Sequence, residues 1–137
     1  AQIFASAQNR TEQRKKWMEE MTNAKIEFMN KELDITGEQK EDFNKLYKAY
    51  LAELHKVHHE TRKLEKSIDS KKNATDLEYE KAAEAMFELK GKEGDVNEKY
   101  FDQFKQILTP NQLFKFQKAE SHWAKHLMKH RKKRTQK

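Results

Sequence analysis

The sequence has no cysteine, one proline and three glycines, and it lacks any long uninterrupted apolar run. Without cysteine there is no disulfide framework, no thiol nucleophile and no thiolate metal site. The compartment stays open, because a cysteine-free chain tolerates oxidising and reducing surroundings alike. So little glycine leaves no glycine-rich phosphate loop, and no segment approaches the roughly 18 apolar residues of a membrane span. Charged residues, at 38%, outnumber hydrophobic ones, at 35%, over 137 residues, which is a lean supply for a layered core. Such a composition suits long helices that each bury one stripe, and the expected shape is elongated.

The net charge of +6 is unevenly placed. From His122 to Lys137 there are seven Lys or Arg and no Asp or Glu, leaving 22 basic and 23 acidic side chains in the first 121 residues. The body is neutral and the tail basic. At the other end, Ile3-Phe4-Ala5-Ser6-Ala7 has the form of an apolar segment closing in the Ala-x-Ala pattern of a signal-peptidase site. A disordered tail is the alternative reading of the same residues.

What is present is a stretch that occurs twice. Ile35-Thr36-Gly37-Glu38-Gln39 returns, 73 residues later, as Leu108-Thr109-Pro110-Asn111-Gln112. Thr followed three residues on by Gln forms a capping box: the hydroxyl caps the N3 amide, and the Gln side chain returns to the cap residue's own amide. Both copies are therefore read as helix starts. Pro110 suits the first helical position, and Leu108 with Leu113 occupies the positions of a hydrophobic staple.

Around these marks the apolar spacing predicts four helices. The first covers about Asn9 to Glu32, with Trp17, Met21, Ala24 and Phe28 on one face, widened by Met18, Ile26 and Met29. The second runs from Thr36 to about Lys71. Its residues Phe43, Tyr47, Tyr50, Leu54, Val57, Thr61, Leu64 and Ile68 keep an unbroken 3.5-residue period. Ser70 to Ala74 is read as a turn and Thr75-Asp76-Leu77-Glu78 as a further capping box. The third helix then extends to Leu108, with a bend or soft point expected at Gly91 and Gly94. Its similar length to the second predicts a long antiparallel helical hairpin. A fourth helix follows Thr109 and fades into the basic tail. The expected organisation is a single helical domain, 1–137, with a flexible segment at 1–8 and a mobile basic tail at 131–137.

Two copies of this motif in a helical chain resemble the Spy/CpxP-like periplasmic family with paired LTxxQ motifs, whose relatives include periplasmic heavy-metal sensors. The resemblance spans about Trp17 to Leu127. The second copy fits the pattern in full, and the first has Ile35 where the family has Leu. The resemblance implies an all-α, elongated four-helix protein with a shorter helix at each end of the hairpin, forming a curved homodimer. It also implies export with a cleaved signal peptide, periplasmic location, and ATP-independent binding of non-native proteins or a part in envelope stress response. Under that reading Ile35, Thr36, Gln39, Leu108, Thr109 and Gln112 are structural caps. Met18, Met21, Phe28, Met29, Phe114, Phe116 and Trp123 are read as core or dimer contacts for the most part, and some of them as candidate contacts for apolar client segments, because methionine and aromatic side chains suit promiscuous surfaces.

Two other classes are carried beside it. His55 and His59, and His122, His126 and His130, stand four residues apart on helices, a spacing for a two-imidazole chelate of weak zinc or nickel; the alternative is a solvated face. That makes a metal-responsive sensor or buffer the second function. The third is binding of nucleic acid or an anionic surface by the basic tail, without sequence specificity. No catalytic set is found: the serines lack an activating context, and the carboxylates lie among lysines as ordinary helix-surface charges. The chain is therefore read as a non-enzyme without a required cofactor.

Overall fold

A computed structural model describes the backbone of residues 2–135 and the side chains of residues 6–129. The chain is all-α: α1 (Gln2–Glu32), α2 (Gly37–Asp69), α3 (Asp76–Ile107) and α4 (Pro110–Thr135), with no strand among the described residues. The boundaries of α2 and α3 fall within two residues of those expected. At the chain ends, α1 begins before the expected Asn9 and α4 runs through Thr135. The side chains of 6–8 in the expected flexible segment are exposed, and those of 1–5 and of the expected mobile tail lie outside the described residues. No helix among the described residues is long and apolar enough to cross a membrane.

The described residues form two compact units, one from Ala1–Asn44 with Leu108–Lys137 and the other from Lys45–Ile107. In the first, Met29 of α1, Leu33 just after it, Phe43 of α2 and Leu108, Phe116 and Ala119 around α4 are buried. Phe43 meets Phe116 edge-on at a centroid distance of 6.4 Å. α1 and α4 run antiparallel: Asp34 reaches Lys115, whereas Phe28, six residues earlier, lies against Trp123 and His126. α1 ends in a Schellman motif, in which Ile35 N–H donates to Asn30 C=O at 3.0 Å and Asp34 N–H to Lys31 C=O at 3.3 Å. Asp34 takes the left-handed conformation this motif requires, with φ 50°.

The second unit is the helical hairpin. Tyr47 packs on Phe104, and Tyr50 on Phe104 and Tyr100, so that residues ascending α2 meet residues descending α3. Further along, Glu53 meets Lys99, His58 meets Glu93 and, beside the turn, Lys71 meets Glu78. Every member of the 3.5-residue series from Tyr47 to Ile68 is buried or half-buried. Thr61 is tolerated in that seam because its hydroxyl donates to Val57 C=O at 3.1 Å. Thr75 caps α3 as expected, accepting from Glu78 N–H at 3.2 Å.

One expectation is corrected, on α1. α3 is continuous through Gly91 and Gly94; both are exposed, and a Cβ at either would meet no atom within 4 Å. The buried pairs on either side, from Tyr100 to Ala82, hold the helix where intrinsic propensity alone would weaken it. In α1, Trp17 is 59% exposed and Ala24 is also exposed. The covered face is instead centred on Met29 and Leu33, which α4 and the start of α2 can reach.

Candidate functional site

Each Thr-x-x-Gln stretch folds as the capping box its sequence specifies. Gln39 N–H donates to Thr36 Oγ1 at 3.3 Å, and Thr36 N–H donates to Gln39 Oε1 at 3.1 Å. In the second copy the corresponding distances are 3.2 Å and 3.0 Å. The two boxes are then joined. Gln39 Nε2 donates to Gln112 Oε1 at 2.8 Å, and Gln112 Nε2 donates to Gln39 Oε1 at 2.8 Å. Gln112, only 7% exposed, also donates to Leu33 C=O at 3.3 Å, at the end of α1. Both of its N–H donors and both acceptor sites of its oxygen are thereby used, as burial of an amide demands. Ile35 is half-buried and Leu108 buried beside their caps. The pair ties the starts of α2 and α4 to the end of α1. The arrangement is built from side-chain amides, threonine hydroxyls and backbone groups that join three helix ends.

The candidate contact residues divide. Met18, Met21, Phe28 and Trp123 are half-buried and Phe114 is 70% exposed. Met29, at 0% exposure, and Phe116, at 3%, are core residues and offer no surface to another molecule. The reason is angular: neighbouring helix positions differ by about 100° and positions two apart by about 200°, so Phe114 and Phe116 face opposite ways. Sequence reasoning also missed Leu77 at 60%, Tyr79 at 53%, Phe87 at 78% and Met128 at 65% exposure. Tyr79 and Met128 fit the helical spacing of their own helices, and their exposure has no signal in the sequence; Phe87 has one, since it lies off the line of Ala82, Leu89, Tyr100 and Phe104 that α3 buries.

The described histidines do not converge on one site. His55 and His59 are adjacent, with ring centroids 6.5 Å apart, but His58 turns to Glu93, its Nε2 at 3.5 Å from Oε1. His55 is held below the usual imidazole pKa, first by partial burial and then by Arg62, His59 and His58. His126 is stacked on Trp123 and lies 4.6 Å from the ring of Phe28, while His122 is exposed. The side chain of His130 is outside the described residues. Among those described, no three His, Cys, Asp or Glu side chains are grouped to hold a metal ion.

One titrating network lies in the hairpin. Glu53 accepts from Lys99 at 3.0 Å and from the Tyr100 hydroxyl at 2.9 Å, and these bonds lower its carboxyl pKa. Burial, followed by that same bond, raises the phenol pKa of Tyr100. Tyr50 donates to Asn97 at 2.6 Å nearby. The network joins α2 to α3.

The family model described as LTXXQ motif family protein matches residues 21–120, which contain both motif copies and the whole hairpin. Comparison with the curated proteins and with the solved structures gives no match.

Proposed function

Because the chain belongs to the LTXXQ motif family, whose members are generally extracytoplasmic, we propose that it is a periplasmic, ATP-independent chaperone-like protein that holds non-native polypeptides. The observation that supports this reading is the set of large apolar side chains left in solvent: Trp17, Leu77, Tyr79, Phe87, Phe114 and Met128, each more than half exposed.

Each such side chain, fully covered by a client, contributes about 1.5–3 kcal/mol. Partial coverage of a few gives weak, reversible capture that needs no nucleotide for release. The charged side chains between them keep the free protein dispersed and offer polar contacts to a chain that has not folded. The bound segment is apolar and unstructured, and the protein performs no chemistry on it. A homodimer is part of the same reading, after the resemblance, and light scattering of the purified protein tests it.

The test is suppression of aggregation of a chemically unfolded model protein at near-equimolar ratio, without nucleotide, with and without Zn²⁺. Suppression independent of zinc is expected. No suppression in either condition contradicts direct chaperone activity for that client, and suppression only with zinc transfers the role to the histidines.

A further inference from the structure

Phe87 is 78% exposed on α3. It stands two positions before Leu89, one of the residues that α3 buries, and so about 200° around the helix from it, on the side turned away from α2. Glu80 and Glu84 lie about two turns and one turn before Phe87 on the same stripe, and Gly91, Gly94 and Glu98 follow at i+4, i+7 and i+11; all are exposed. The two glycines put no side chain after the ring, which leaves room for another chain to lie against it. Leu77 and Tyr79, at 60% and 53% exposure, stand about 80° to either side of the stripe. The charge here runs against that of the chain. From Asp76 to Glu98 there are eight Asp or Glu and three Lys, in a protein of net charge +6, and Lys90 is the one base beside Phe87 on its stripe. Among the described residues, Glu80, Glu84 and Glu98 make no ion pair.

We propose that this face of α3 holds cationic apolar segments of non-native polypeptides, extended stretches in which Lys or Arg stands between large apolar side chains. The inference rests on the chaperone-like reading and names the class of segment captured. Charge complementarity selects the occupant. Apolar side chains of the segment cover Phe87 and Tyr79, while its cations reach the unpaired carboxylates of Glu80, Glu84 and Glu98. Tyr79 and Phe87 are about 12 Å apart along the helix axis, the span of about four extended residues at ~3.3 Å each. A second copy docked by the same face would set acidic stripe against acidic stripe, and nucleic acid or anionic lipid would be repelled.

The test titrates the full chain against three dye-labelled, unstructured peptides with Leu at every fourth position and Lys, Ser or Glu between, read by fluorescence anisotropy. The Lys peptide should bind about 8-fold tighter than the Ser peptide at low salt, about 2-fold for each carboxylate, and tighter still than the Glu peptide. The net charge of +6 alone predicts the reverse order. About 0.5 M salt should remove most of the preference. Glu80→Gln with Glu84→Gln and Glu98→Gln should abolish it and leave the Ser peptide unaffected. Glu41→Gln with Glu60→Gln and Glu65→Gln, an equal change of net charge on α2, should preserve it. All six positions are exposed, so helicity by circular dichroism should not change. Phe87→Ser should weaken the Lys and Ser peptides alike. Binding of the Ser peptide without preference for Lys overturns this inference and leaves client capture standing, whereas no binding of any peptide overturns both. The inference is also overturned by equal loss in the two glutamine variants, by undiminished binding to Phe87→Ser, or by Phe87→Ser dissociating a self-associated protein in light scattering, which would assign the face to a second copy.

Discussion

Gln39 and Gln112 donate to each other's side-chain oxygens at 2.8 Å in both directions, and each oxygen also receives the N–H of its own cap threonine. Each motif copy thus supplies half of one hydrogen-bonded ring. Removing either half leaves the other's polar atoms unpaired in a largely dry place, so the two residues should be energetically coupled. Gln112→Ala should destabilise the protein by about 2–3 kcal/mol and the more exposed Gln39→Ala by about 1–2 kcal/mol. The double variant should lose about 1 kcal/mol less than the sum. Urea denaturation of the four proteins measures this; strict additivity would mean that the ring contributes nothing beyond its separate caps.

Gly91→Ala and Gly94→Ala should each stabilise the hairpin by about 0.5–1 kcal/mol, because both lie inside α3 and an added methyl meets no neighbour within 4 Å. Thermal melts would show a higher midpoint for each. A lower midpoint would restore the bend that the sequence suggested.

Asp34 stands at φ 50° in the Schellman motif. A β-branched side chain is strongly disfavoured there, so Asp34→Val should destabilise by about 1–2 kcal/mol, whereas Asp34→Asn should change little. The ion pair with Lys115, at 3.4 Å and exposed, should account for less than about 1 kcal/mol of any loss. Chemical denaturation of the two variants separates backbone strain from lost charge.

Glu53, bonded to Lys99 and Tyr100, and the partly buried Tyr100 give stability that falls at both extremes of pH. Glu53 has a folded pKa below its usual 4.5, so its contribution is complete above that value and is lost as pH falls through the lowered folded pKa. Tyr100 has a folded pKa above its usual 10.0, so its contribution is complete below that value and is lost as pH rises through the raised one. Glu53→Gln should flatten the acid limb, and Tyr100→Phe the alkaline limb, of melting temperature plotted against pH. Unchanged limbs would assign the pH dependence to other groups.

Much of this fold can be read from residue spacing because its elements are long and periodic. Thr36 with Gln39 and Thr109 with Gln112 are local signals whose geometry is set within one helical turn, and the seam from Tyr47 to Ile68 repeats often enough to fix its own face. Position in space is less legible. That Gln39 meets Gln112 depends on a contact across 73 residues, and capping boxes do not announce whether they pair. Trp17 and Met29 were read as belonging to one broad face, yet one is exposed and the other wholly buried, because a helix shows where its apolar residues are and not how far its partner extends. Phe87 escaped notice for a related reason: a single aromatic residue off the seam leaves no period to detect.

The central claim is that the exposed side chains, and not the caps or the histidines, hold non-native polypeptide. The most direct measurement is aggregation suppression by Phe87→Ser with Phe114→Ser, compared with the parent and with Gln39→Ala at a temperature where all three are folded. Both phenylalanines are at least 70% exposed, so stability should be nearly unchanged. The account predicts a several-fold loss of suppression for the phenylalanine variant and none for the cap variant. Full suppression by the phenylalanine variant, or equal loss in both, would contradict it.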